Sequence, residues 1–195
     1  MAHFAELESK TDPTGFTSDT HLVVKRVVVV GNDEVPSDEH VDGETWCVNF
    51  FGGGTWKQTS YNNKFRKRYA GRGMIYNASK NKFLLQQPHA SWALDSSDDW
   101  QSPITFPSVT TFDHASEKYS QDDVDNNVYS DAHEKAGQRM GSFSVGDAVQ
   151  VPYFISWNET KYNADNDTGW EAIKSDDNAE TKTVYNWNGS AWVSE

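Results

Sequence analysis

Phe4-Ala5-Glu6-Leu7 reads as a short strand, and Leu22 to Val30 (LVVKRVVVV) as a long β-branched one. Between them lies the polar stretch ESKTDPTGFTSDTH, with Pro13 and Gly15, which reads as a hairpin loop. Gly31-Asn32-Asp33 stops the second strand. Pro36-Ser37-Asp38-Glu39 has the form of a helix start, with Ser37 as N-cap and acids in the first turn. A helix near 38–51 would bury Val41, Trp46, Val48 and Phe51, although Gly43 is a poor helix former in its first half. Gly52-Gly53-Gly54 then reads as a C-cap and a tight turn. A phosphate-cradling loop needs the reverse order, strand before and helix after.

Downstream, the pattern shortens into hairpins. Trp56–Tyr61 and Lys64–Tyr69 flank Asn62-Asn63, a pair that tolerates positive φ and suits a two-residue turn. Alternation would put Lys64, Arg66 and Arg68 on one face of the second strand, with Phe65, Lys67 and Tyr69 on the other. Met74-Ile75-Tyr76 and Lys82-Phe83-Leu84-Leu85 form the next pair. A loose repeat follows: Tyr76-Asn77 before Phe83, Trp92…Asp95 before Trp100, Trp157-Asn158 before Trp170, and Tyr185-Asn186-Trp187-Asn188 before Trp192. In each case aromatics would pair across strands while an Asx residue starts the turn. PHASWALDSSDDWQSPI (88–104) and PYFISWNETKYNADNDTGWEAI (152–173) share enough order to suggest an internal duplication.

The expected architecture is mainly β (α+β): short aromatic-rich antiparallel β-hairpins with one helix near 38–51. Residues 1–109 would form a hairpin and helix core, 110–147 a polar acidic insertion, and 148–195 a second hairpin region that packs back on the first.

Composition fits this reading. Hydrophobic residues make up only 36% of the 195, but aromatics reach 13%, including eight Trp, so large flat side chains must do the burying. Charge is uneven. The chain holds 17 Lys and Arg against 29 Asp and Glu, yet Lys57, Lys64, Arg66, Lys67, Arg68 and Arg72 fall together with no carboxylate between them. The general acidity argues against nucleic acid and anionic membranes as partners. Cys47 is the single cysteine, read as a half-buried helix residue. MAHFAELESK lacks the features of a secretory signal, and no run approaches the ~20 apolar residues of a membrane span, so a soluble protein made in a reducing cytoplasm is expected.

Catalytic chemistry finds little support. The six histidines share no HxH or HExxH spacing. Asn163, Asp165 and Asp167 alternate like calcium ligands, but Gly169 comes one place late for such a loop and the closing bidentate Glu is missing. The sequons at Asn77, Asn158, Asn166 and Asn188 are what a chain rich in Asn, Ser and Thr yields by chance. Neither a catalytic residue, a metal site nor a cofactor is assigned. The basic hairpin has three readings. It could be a solvated face, or an interface to an acidic neighbour, including another copy of the chain. The third is nucleic-acid contact through Lys64, Arg66 and Arg68 with Tyr61 and Tyr69 stacking, which the surrounding negative charge disfavours.

MAHFAEL, the VVVV strand, FFGGGTWKQTSYNNKFRKRYAG, the Tyr76…Phe83 hairpin, the SWALD…W segment and the final YNWN…WV resemble a family of small proteins of marine tailed phages, of cyanophage and pelagiphage type. The resemblance covers about 1–105 and 184–195, while Val109 to Lys182 departs from it. The family offers no catalytic residues to carry over. What the resemblance implies is a virion protein: a non-enzymatic capsid decoration or tail/neck component that docks to other phage structural proteins. The alternative is a host-surface or glycan-binding module of a tail fibre or baseplate, with Trp100 or Trp170 stacking on sugar.

Overall fold

A computed structural model describes residues 1–35, 40–129, 133, 135–136, 138 and 143–195. The chain divides into two compact units, Met1–Pro103 and Ile104–Glu195, so the break comes ahead of the expected boundary at 109.

In the first unit, strands β1 (Ala2–Thr11) and β2 (Thr20–Val30) form a long antiparallel hairpin. Helix α1 (His40–Phe51) and β3 (Thr55–Thr59) follow, then β4 (Ile75–Asn77), β5 (Lys82–Leu84), β6 (Ala93–Leu94) and β7 (Trp100–Gln101). The main sheet has the order β3-β1-β2-β4-β5, and β6 pairs with β7 alone. The proposed helix start at Pro36–Glu39 lies outside the described residues, as does the Val41 side chain. The end of the helix follows the glycines: Gly52, Gly53 and Gly54 all have positive φ, and the Gly53 N–H donates to Val48 O at 2.7 Å.

Alternation gives the sheet two buried faces. Phe4, Val30 and Trp56 meet Cys47 of α1 on one, while Ala5, Leu7 and Val24 meet Ala70, Tyr76 and Phe83 on the other. Cys47 is fully buried rather than half-buried, and Phe51 stays exposed. Burial and the nearby Glu44 charge push the Cys47 thiol up to about 11, which leaves it inert. Gly43 is explained by closeness: a Cβ there would sit 2.4 Å from Cζ of the buried Phe4. A Gly43→Ala protein should therefore lose about 1–3 kcal/mol by overpacking, in spite of the ~1 kcal/mol that alanine gains in helix propensity. Chemical denaturation is the check.

The second unit contains β8 (Thr111–Lys118), α2 (Gln121–Asn126), β9 (Ala148–Trp157), α3 (Glu159–Ala164), β10 (Trp170–Lys174), β11 (Tyr185–Trp187) and β12 (Trp192–Ser194). Its sheet runs β12-β11-β10-β9-β8, all antiparallel. The stretch read as a polar insertion thus supplies an edge strand, and Phe112 packs with Tyr119, Val149 and Val151. The terminal hairpin β11–β12 joins the sheet through β10. The aromatic repeat is real at three sites, where Tyr76 faces Phe83, Trp157 faces Trp170, and Trp187 faces Trp192. At the fourth, the partner of Trp100 is Leu94, not Trp92.

Candidate docking surface

The basic segment begins as β3 ends. Ser60 opens a turn: Asn63 N–H donates to Ser60 O at 3.0 Å, and Lys64 N–H to Ser60 Oγ at 2.9 Å. Two long-range clips follow. Tyr69 N–H donates to Asn63 Oδ1 at 2.6 Å, and Ala70 N–H to Oγ1 of the buried Thr59 at 2.7 Å. Then Gly73 and Met74 bond to Val24 of β2. The expected second strand over 64–69 does not form. Arg66 and Lys67 take left-handed backbone conformations (φ 54° and 69°), which end any two-residue alternation.

That backbone turns Arg66 inward, so its side chain is only 7% exposed. Its Nη1 donates to Glu44 Oε1 and Gln58 O, both at 2.7 Å, and its Nε to Asn81 Oδ1 at 2.9 Å. Glu44, on α1 and 9% exposed, also accepts from Lys57 Nζ at 2.8 Å and from Gln58 N–H at 2.9 Å. Since β3 is an edge strand, the last bond ties up an amide that a stray strand could otherwise pair with. Burial works to raise the Glu44 carboxyl, but the bonds from Lys57, Gln58 and Arg66 outweigh it and hold its pKa below the ordinary value.

Two further carboxylates act alike. Asp99 pairs with Lys67 at 2.9 Å and with Arg68. Asp98 accepts from Lys80 and, at 2.6 Å, from Lys82, and these hydrogen bonds draw its pKa down to about 2. Of the six expected interface cations, Lys57, Arg66, Lys67 and Arg68 are therefore engaged within the unit. Lys64 and Arg72 remain exposed, with no ion pair among the described residues. The single basic face of Lys64, Arg66 and Arg68 does not exist as expected, because a buried carboxylate claims its middle member.

The aromatic members behave otherwise. Tyr61 is 69% exposed, yet its ring stacks on His3 of β1 at 5.7 Å and 22°. Tyr69 meets both rings edge-on at 5.5 Å. Val29, 55% exposed, is the cross-strand partner of His3. Trp100 is half-buried and its indole N–H donates to Leu85 O at 2.9 Å. Trp170 is 6% exposed, so its ring is not a stacking platform for sugar; it belongs to the second unit's core. Among the described residues no group of three or more His, Cys, Asp or Glu could hold a metal ion, and no helix is long and apolar enough to cross a membrane.

No family model, curated protein or solved structure matches this chain. Sequence reasoning missed Glu44, Asp98, Asp99 and His3. A usable signal did exist: six cations without a local carboxylate, in a chain this acidic, need counterions from elsewhere in the sequence.

Proposed function

We propose that the chain is a non-enzymatic structural component of a tailed-phage particle, docking to neighbouring particle proteins through the turn from Tyr61 to Lys64. The observation that carries this reading is the geometry of Tyr61. Most of its ring faces solvent while His3 and Tyr69 hold it in place, so burying it against a partner would cost little side-chain entropy. Lys64 in the same turn and Arg72 supply free positive charge suited to an acidic neighbour, and the chain's own second unit, with 6 Lys and Arg against 16 Asp and Glu, has that character. The resemblance of FFGGGTWKQTSYNNKFRKRYAG to proteins of marine phages supports the particle as the setting.

The test is incorporation. Mass spectrometry of purified particles should find the wild-type protein, and a Tyr61→Ala, Lys64→Glu double variant should be folded but depleted at least about tenfold. Absence of the wild type from particles, or undiminished incorporation of the variant, would overturn the reading. A second reading, a host-surface or glycan-binding module of a tail fibre or baseplate, is favoured by one feature, the groove beside Trp100.

A further inference from the structure

The first unit carries a groove of about 250 Å³ lined by Trp92, Trp100, Pro88, Leu85, Arg68 and Asp99. One side is apolar and aromatic, and the other carries the Arg68–Asp99 pair together with Gln86 and the lysine-paired Asp98. We infer that this groove binds one pyranose ring, the terminal sugar of a surface glycan, with the ring's C–H face on Trp100 and its hydroxyl rim on Arg68 and Asp99.

Three observations converge on that chemistry. First, size: ligand pockets for drug-sized molecules run from about 300 to 1,000 Å³, and this one falls just below, at the scale of a single ring. Second, the platform is fixed before binding. The Trp100 indole N–H is spent on Leu85 O, and β6–β7 pairing holds its backbone. Third, the polar pair has capacity left. Lys67 and Arg68 both bond to Oδ1 of Asp99, and neither takes Oδ2. A pyranose has an apolar face and adjacent hydroxyls that need both a donor and an acceptor. An apolar ligand would leave the ion pair facing nothing, and a phosphate would meet Asp99. The walls lie on structure that is itself clamped, since Lys80 and Lys82 hold neighbouring Asp98.

This inference gives chemical content to the second reading above and uses none of the residues of the Tyr61–Lys64 turn. Particle membership is read separately, so either idea can fail alone. The experiment is saturation-transfer NMR on the full chain. The probes are the methyl pyranosides of glucose, galactose, mannose, N-acetylglucosamine and glucuronate, with a host-cell polysaccharide in a parallel arm to separate free sugar from glycan ends. At least one pyranoside should bind saturably in the millimolar range, and Trp100→Ala should weaken it at least about tenfold. Leu85→Glu is the second variant, because Leu85 is 50% exposed at the groove and only its backbone carbonyl serves Trp100. It should also abolish transfer in a protein whose amide spectrum stays folded. Polysaccharide binding without any pyranoside binding, no transfer from any probe, or transfer unchanged in folded Leu85→Glu would each overturn the assignment.

Discussion

A Glu44→Ala protein is expected to lose about 3–5 kcal/mol of stability in the first unit, the cost of removing one partner from a buried ion pair. The loss is large because it does not end with one bond. Arg66 would stay inside at 7% exposure without its counterion, Lys57 would lose its partner, and Gln58 N–H would be left open on an edge strand. Glu44→Gln should cost less, since an amide oxygen still accepts. The same carboxylate sets a pH dependence. Its pKa is lower folded than unfolded, so its contribution is whole above the ordinary value of 4.5 and disappears as pH falls through the lower folded value. Asp98, held at about 2, adds a loss of the same sign at still lower pH. The wild type should therefore weaken progressively below about pH 4.5, and Glu44→Gln should show a flatter profile. Hydrogen exchange at β1 and β3 amides is the measurement, because two compact units need not unfold together. Equal pH slopes in the two proteins would remove Glu44 from this role.

The basic segment also marks where local sequence stops being informative. The β1–β2 hairpin was readable because Leu22–Val30 is a β-branched run set off by a polar loop, and two aromatic hairpins because Asn77 and Asn188 start turns between paired rings; between Trp157 and Trp170, Asn158 instead caps helix α3. Residues 64–69 do alternate, but the pattern is misleading. Arg66 and Lys67 sit in left-handed conformations that cost about 1–3 kcal/mol each. Bonds to Glu44 and Asp99, both distant in sequence, offset that cost. Alternation reports only neighbours and cannot see such partners. Gly43 misleads for a similar reason: it looks like a weak point in a helix, and is in fact the place where the helix comes closest to Phe4. Strand β8 escaped notice because Phe112 is its one fully committed apolar residue, set among acids and small polar side chains. The candidate site was half legible. Tyr61, Tyr69 and Lys64 could be picked out from composition, but His3, which fixes the orientation of Tyr61, is some sixty residues away along the chain and adjacent only through β1–β3 pairing.

Trp170→Ala is the case where a sequence-based expectation and the structure predict different experiments. If Trp170 offered its face to a sugar, the variant would stay folded and lose binding. The structure instead gives it the interior of the second unit. Its ring lies edge-on to Trp157 at 5.1 Å and to Phe106 at 5.0 Å, and its indole N–H donates to Ile104 O at 3.0 Å. The Trp157 ring it meets is itself pressed against the backbone of Gly169, where a Cβ would lie 2.6 Å away. Truncation should cost about 3–5 kcal/mol through the cavity it leaves, and about 1 kcal/mol more for the lost hydrogen bond. The predicted result is a large drop in the melting midpoint of the second unit and loss of the near-ultraviolet circular dichroism of its tryptophans. Pyranoside binding in the first-unit groove should persist at temperatures where that variant is still folded. Such a split would place the two tryptophans in different roles, Trp170 holding the sheet together and Trp100 facing the ligand. A Trp170→Ala protein that melts like the wild type would show that this ring is not part of the core, and would return it to consideration as a binding surface.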